Sequence, residues 1–171
     1  MTTRSASQES IPSGGQGDLH PDLQSTRIMT MPFHRLWLLP LWRAAMRRMK
    51  SATVPGVQVE ERQEGGVQVR IYRPEGSPSG TGLLWMHGGG LMIGSPVMDD
   101  LRCSTFASEL GLVVVSAYYR LAPEHPFPAA MDDCTSAWRW LQSAADELGI
   151  DAKRVVIGGE SAGGGLAACL A

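Results

Sequence analysis

Three short apolar runs, separated by two helical stretches, constrain the fold of this chain more than any other feature of its sequence. The runs lie at residues 83–86, 112–117 and 155–157, and such continuous runs are typical of strands buried on both faces of a sheet. Between them, at about residues 97–110 and 130–148, apolar side chains recur mostly at three- and four-residue steps. This order of strand, helix, strand, helix and strand predicts an α/β fold with a parallel sheet.

Each helical stretch is followed by a glycine, the residue that most readily adopts the left-handed backbone that ends many helices. Gly111 follows the first stretch, and Gly149 follows the second, which begins at Pro128. We therefore predict one helix between each pair of strands. The residues expected to face inward from the first helix are Met98, Leu101, Phe106 and Leu110.

A β-hairpin is predicted ahead of the three runs. Apolar and polar residues alternate over residues 57–60 and again over 67–72. Gly65 and Gly66 lie between these segments and favour a tight turn.

The N-terminal part of the chain differs in composition from the rest. Residues 1–25 are polar and rich in turn formers, which predicts an arm. Residues 33–50 combine leucine and tryptophan with basic and no acidic side chains, and Pro40 predicts a break into two short helical pieces. We interpret these pieces as a helical cap packed over the main domain, with a lid or a membrane contact through residues 33–50 as alternatives. The predicted division is therefore residues 1–50 and residues 51–171.

Charge and cysteine content exclude several classes of protein. The 171 residues carry a net charge of −2, without the basic excess of a nucleic-acid binder. No apolar run approaches the roughly 20 residues that span a bilayer. Cys103, Cys134 and Cys169 lie far apart, which argues against a disulfide scaffold or a thiolate zinc site and favours a reducing compartment. Since residues 1–17 also lack the apolar core of a secretory signal, we expect a cytoplasmic location.

Glycine is enriched, at 20 of 171 residues, and two of its clusters follow predicted strands. The first cluster is His87, Gly88, Gly89 and Gly90, and the second is the Gly-x-Ser-x-Gly sequence of residues 159–163. Open α/β sheets bind ligands at the edge where parallel strands end. The candidate site therefore lies where these two clusters meet.

The second cluster matches the nucleophile elbow, a sharp turn between a strand and a helix that exposes a serine hydroxyl. Ser161 occupies the nucleophile position, and the glycines two residues before and after it avoid collisions within the turn. The alternative is that Ser161 only caps the following helix. Because both glycine clusters occur together, we favour the nucleophile.

The first cluster predicts an oxyanion hole, a set of N–H groups that stabilises the negative oxygen formed during acyl transfer. Without side chains, residues 88–90 can turn their N–H groups toward a reacting carbonyl, and Ala162 supplies a further N–H. A Cβ at Gly89 is expected to obstruct the approaching carbonyl. A phosphate-binding loop is disfavoured, because no Gly-x-Gly-x-x-Gly opens a helix after the first parallel strand and no Gly-Lys-Ser/Thr occurs.

These motifs, together with YRLAPEHPFP at 119–128, Asp132-Asp133 and GGESAGGGLA at 158–167, make residues 56–171 resemble the hormone-sensitive-lipase-like branch of the α/β-hydrolase superfamily. The resemblance implies a serine carboxylesterase or lipase with an N-terminal helical cap, an ester substrate, and no metal or cofactor. It implies that Ser161 is the nucleophile, that Gly88, Gly89 and Ala162 are oxyanion donors with Gly90 as a further candidate, and that His87 shapes the loop.

One departure from the family pattern concerns the rest of the catalytic triad. The superfamily places its acidic residue and its histidine after the serine, but residues 162–171 contain neither. The upstream residues His20, His34, His87 and His125 are poor candidates for the base. We therefore expect residues 51–171 to be the N-terminal part of a longer catalytic domain. The alternatives are a ligand-binding protein on the same scaffold and an inactive fragment.

Overall fold

The structure is a computed structural model that describes residues 36–47, 52–76 and 78–171. The predicted arm at residues 1–25 lies outside these ranges, as do parts of the predicted cap. In the described residues, no helix is long and apolar enough to cross a membrane.

Five strands form one mixed sheet in the order β1-β2-β4-β3-β5. They span Val57–Glu64 (β1), Val67–Pro74 (β2), Gly82–Met86 (β3), Val113–Tyr118 (β4) and Val155–Gly159 (β5). The predicted hairpin is confirmed, because β1 pairs antiparallel with β2 and Gly65 and Gly66 form the turn with positive φ. The predicted parallel strands are also confirmed, since β3 pairs parallel with β4 on one side and with β5 on the other. The hairpin joins them through antiparallel pairing of β2 with β4.

The helices are Leu39–Arg47 (α1), Asp100–Leu110 (α2), Ala129–Ser143 (α3), Ala145–Leu148 (α4) and Ala162–Leu170 (α5). Side chains of α2 share one apolar cluster with Leu83 and Val114, whereas side chains of α3, α4 and α5 share another with Leu84 and Val115. Successive residues of β3 and β4 therefore face opposite helical layers, as buried parallel strands require.

The first helical stretch differs from its prediction. A 3₁₀ turn at Leu36–Leu38 runs directly into α1, and Pro40 lies in the first turn of α1 instead of separating two pieces. The first turn of a helix tolerates proline because its N–H groups have no intrahelical acceptor.

The inward face predicted for the first helical stretch is confirmed at Phe106, which packs against the apolar cluster on the α2 side of the sheet, and is wrong at the other three residues. Met98, Leu101 and Leu110 are exposed, and the buried positions of α2 are Asp100, Cys103, Ser104 and Ala107. The reason is a polar attachment to the sheet, because Asp100 accepts hydrogen bonds of 2.7 and 2.9 Å from Arg70. Small side chains at the other buried positions let the helix approach β2 and β4 closely.

The second predicted helix is divided in two. Gly149 ends it as expected, with a φ of 72°, but Ala144 separates α3 from α4. The apolar face nevertheless continues through the break, since Leu141, Ala145 and Leu148 are all buried in the same cluster.

Candidate active site

The pairing of β3 with β5 brings the two glycine clusters together. Met86 lies opposite Gly159 at the ends of these parallel strands, and the N–H of Glu160 donates to the Met86 carbonyl over 3.1 Å. A Cβ on Gly88 would lie 3.3 Å from the carbonyl oxygen of Glu160. Residues 87–94, here called the glycine loop, therefore begin beside the turn that contains Ser161.

Ser161 lies between β5 and α5 with φ 50° and ψ −115°, a backbone conformation that a residue with a side chain rarely adopts. The turn is closed so tightly that a Cβ on Gly159 would lie 2.4 Å from Gly163, and a Cβ on Gly163 would lie 2.2 Å from the Met86 carbonyl oxygen. Neither glycine of the Gly-x-Ser-x-Gly sequence therefore has room for a side chain. Such strain is typical of functional sites.

The side chain of Ser161 is exposed and does not cap α5. It precedes the helix, yet its hydroxyl makes no capping hydrogen bond. In the described part of the chain, no other hydrogen-bond partner of this hydroxyl occurs either. The capping alternative therefore does not explain why a serine occupies this strained position.

The glycine loop folds back on itself. The N–H groups of Met92 and Ile93 donate to the Gly89 carbonyl over 3.1 and 3.0 Å. Gly89 and Gly90 have φ values of 118° and 63°, which favour glycine. A Cβ on Gly89 would lie 2.1 Å from the Ile93 carbonyl oxygen. The predicted effect of this Cβ was to obstruct the substrate carbonyl, whereas the structure shows a clash within the loop itself.

The fold leaves several backbone donors of this region without acceptors. Among the described residues, the N–H groups of Gly88, Gly89, Gly90 and Ala162 donate to no protein acceptor. Ala162 is the first residue of α5, where an N–H has no intrahelical acceptor and the helix dipole favours negative charge. A buried or ligand-facing N–H of this kind is available to an oxygen of a bound molecule.

His87 is built into the base of the glycine loop. It is 1% exposed and its ring stacks on Tyr119, with ring centroids 4.1 Å apart. Its Nδ1 lies 2.7 Å from the Gly88 carbonyl oxygen, and because a carbonyl only accepts, we assign the ring proton to Nδ1. The Tyr119 hydroxyl donates to the His87 carbonyl over 2.6 Å. These contacts fix the ring against the base of the glycine loop, and the loop-shaping role of His87 stays a prediction.

Burial lowers the pKa of His87 to about 4, with the Gly88 carbonyl acting in the opposite direction. The imidazole is therefore neutral at pH 7, and its Nδ1 proton is engaged within the loop. His125 is exposed in the segment before α3, while His20 and His34 lie outside the described residues. No described histidine has a hydrogen bond to Ser161.

Glu160, the residue before Ser161, is connected to α2 through a polar chain. Its carboxylate pairs with Arg102, which also donates to Asp99 over 2.7 Å. Asp99 in turn accepts a 2.8 Å hydrogen bond from the Trp85 indole on β3. Burial raises the pKa of Asp99, and its contacts with Trp85 and Arg102 oppose that rise. This series of polar contacts links the turn that contains Ser161 to α2, which lies on the other side of β3.

A cavity of about 640 Å³ lies apart from Ser161. Its lining includes Arg43, Glu61, Tyr118, Arg120 and His125, and it contains neither Ser161 nor the four free N–H groups. Over the described ranges, no cluster of three or more His, Cys, Asp or Glu side chains could hold a metal ion.

Sequence reasoning missed two side chains that hold this region. Arg43 of α1 donates to the Met92 carbonyl in the glycine loop, and Arg102 reaches Glu160. Neither residue lies in a motif, and long basic side chains on helices are usually solvated, so no pattern in the sequence singles them out.

The fold and the paired glycine motifs define an α/β hydrolase, and comparisons with known proteins agree. The family model described as alpha/beta hydrolase fold matches residues 83–171, and the chain belongs to this family.

Curated relatives carry esterase names. Ethyl acetate hydrolase from Pseudomonas putida is 46% identical over 106 residues, which cover 60% of this chain and 33% of that protein. Carboxylesterase NlhH from Mycobacterium tuberculosis is 37% identical over 140 residues, which cover 75% of this chain and 43% of that protein. The chain thus spans less than half of the length of these relatives.

A solved structure of a hormone-sensitive lipase from a metagenome library superimposes with a TM-score of 0.68. The two sequences are 35% identical, and the matched region covers 77% of this chain and 43% of the lipase chain. The resemblance to the hormone-sensitive-lipase-like branch and the α/β-hydrolase fold are therefore confirmed.

Proposed function

We propose that the protein hydrolyses a carboxylic ester through an acyl intermediate on Ser161. The observation that carries the proposal is the register of β3 and β5, which sets an exposed, strained serine beside N–H groups without acceptors. The esterase names of the relatives support the same reaction class.

In the proposed reaction, Ser161 Oγ bonds to the carbonyl carbon while its proton passes to a general base. The carbonyl electron pair moves onto oxygen, which accepts hydrogen bonds from the N–H groups of Gly88, Gly89 and Ala162, with Gly90 as a further donor. The electron pair on oxygen then re-forms the carbonyl as the bond to the alcohol oxygen breaks, and the alcohol leaves with the proton that the base returns. Water repeats the sequence on the acyl-serine and releases the acid.

The proposal assigns the base to a part of the protein outside the described residues. His87 is stacked, hydrogen-bonded and buried, and His125 lines the separate cavity. Neither histidine contacts the hydroxyl that must lose its proton. His87 instead keeps the role of shaping the glycine loop.

The remaining interactions stay predictions. A small-molecule ester is the proposed substrate, with no role for nucleic acid, metal or cofactor in the reaction. A cytoplasmic location is likewise a prediction, a membrane contact through residues 33–50 stays the alternative to a packed cap, and the division at residue 50 is a proposal.

The test is covalent labelling of the full-length protein with a fluorophosphonate, followed by peptide mapping. We expect one label, on Ser161, and loss of both label and ester turnover in Ser161→Ala. Ser143→Ala is the matched control, since Ser143 is an exposed serine on α3 whose hydroxyl bonds to the Trp140 carbonyl. Binding of an ester without labelling or turnover would instead identify a ligand-binding protein.

A further inference from the structure

Arg43 connects α1 to two loops of the main domain. Its guanidinium donates to the Met92 carbonyl over 2.9 and 2.8 Å and to the Ala122 carbonyl over 2.7 Å. It also forms a bidentate ion pair with the Glu124 carboxylate, at 2.8 and 3.0 Å. One side chain thus serves three acceptors on two separate segments.

The Met92 carbonyl belongs to the part of the glycine loop that positions Gly89. Met92 and Ile93 donate their N–H groups to the Gly89 carbonyl, and Ala122 donates its N–H to the Leu91 carbonyl over 2.8 Å. The loop is therefore held by its own turn, by the segment containing Ala122, and by Arg43. Arg43 contacts both the turn of the loop, at Met92, and the segment containing Ala122.

The geometry suits arginine and no other side chain. The Arg43 side chain is 18% exposed, so its contacts with the two carbonyls are partly shielded from water, whereas Glu124 is half exposed. A planar guanidinium presents five donors in a fixed fork, while a lysine ammonium is a point charge with three. Lysine at this position could not reach all three acceptors in the same geometry.

We propose that Arg43 is a positioning residue for the oxyanion hole: by holding the Met92 and Ala122 carbonyls, it makes the docking of α1 a condition for the loop conformation at Gly89. The Gly89 carbonyl shares a peptide plane with the Gly90 N–H, so this conformation sets the direction of that donor and, through the Gly89 backbone, of the Gly89 N–H. The inference rests on the proposed function for its catalytic consequence. Its structural part, the restraint of the glycine loop by α1, stands on the contacts alone.

The kinetic test compares Arg43→Ala and Arg43→Lys with the wild type in the full-length protein. Oxyanion donors act in the transition state, so we expect kcat to fall by about 10- to 100-fold, since losing a donor outright costs roughly 10²–10³. KM should change by less than about threefold, and Arg43→Lys should not restore kcat. Arg62→Ala is the control, because Arg62 is a partly exposed arginine paired with Glu60 and Glu147 away from this loop. Fluorophosphonate titration corrects kcat for the folded fraction.

The second readout is hydrogen exchange in peptides covering residues 87–94 and 119–125. Faster exchange at the amides of Met92, Ile93 and Ala122 is expected in both Arg43 variants, and a smaller change in Glu124→Gln, which keeps both carbonyl contacts. Arg62→Ala should leave these peptides unchanged.

The two readouts separate the possible failures. Unchanged exchange in Arg43→Lys, which is the milder variant, overturns the inference whatever the activity. Faster exchange with an unchanged kcat overturns the link to the oxyanion hole. A wild type that exchanges as expected but neither labels nor hydrolyses esters rejects the proposed function and leaves the restraint by α1 supported.

Discussion

Gly89 and Gly90 are neighbours in the glycine loop, yet the space around them differs. A Cβ at Gly89 would lie 2.1 Å from the Ile93 carbonyl oxygen, while no heavy atom lies within 4 Å of a Cβ at Gly90. We expect Gly89→Ala to reduce kcat by about 10²–10³, the cost of losing an oxyanion donor, because the loop must open. Gly90→Ala adds only the strain of a left-handed alanine, roughly 1–2 kcal/mol, and should cost less than about tenfold.

The measurement is ester turnover per labelled serine in both variants. Equal losses in the two variants would mean that the internal clash at Gly89 does not control the loop.

His87 makes stability depend on pH. Its folded pKa of about 4 lies below the unfolded value of about 6.5, so the unfolded chain binds the extra proton first. This contribution is fully present above pH 6.5 and is lost as the pH falls toward 4, at up to about 1.4 kcal/mol per pH unit. His87→Asn keeps a donor for the Gly88 carbonyl but does not titrate. We expect the free energies of urea unfolding of the wild type and His87→Asn to converge as the pH falls from 6.5 to 4.5. If the difference between them does not change with pH, the lowered pKa of His87 is contradicted.

At the scale of elements, the contact between α5 and β3 depends on one glycine of α5. A Cβ at Gly163 would lie 2.2 Å from the Met86 carbonyl oxygen, whereas a Cβ at Gly165 meets nothing within 4 Å. Gly163→Ala should therefore destabilise the protein by about 1–3 kcal/mol and displace Ser161. Gly165→Ala, in the same helix, should stabilise it by roughly 0.5–1 kcal/mol through backbone entropy.

Chemical denaturation of the two variants, with the labelled fraction of Ser161, tests this pair. Stabilisation by Gly163→Ala would show that α5 can move away from β3 without cost.

At the scale of the whole molecule, β5 pairs with β3 on one side, and within the described ranges no strand pairs with its other side. Val156 on this strand is 56% exposed. Expressed as residues 1–171 alone, the chain should self-associate, because an unpaired strand edge templates pairing with another copy. Val156→Lys should reduce that association, measured by light scattering.

The same 171 residues should show no more than a small residual ester turnover from the oxyanion hole. A general base contributes about 10²–10⁴ to such a reaction, and the described residues place none at Ser161. Turnover that disappears on His20→Ala, His34→Ala or His125→Ala would show that an upstream histidine serves as the base.

The three buried strands, the hairpin and the two glycine motifs could be predicted from the sequence, because they depend on short-range properties. Buried strands need continuous apolar residues, and tight turns need glycine at particular positions, so the pattern at 83–86 and the spacing of Gly159, Ser161 and Gly163 are visible along the chain.

The polar side chains that hold these elements in place could not be predicted from the sequence and are apparent from the fold. The helix α2 faces the sheet with Asp100 instead of with its large apolar residues, because Arg70, 30 positions earlier, is a partner for this buried carboxylate. Arg43 and Met92 are 49 positions apart, and Tyr119 and His87 are 32 apart. Such pairs form because the fold brings distant donors and acceptors together where water is scarce, and no local periodicity records that proximity.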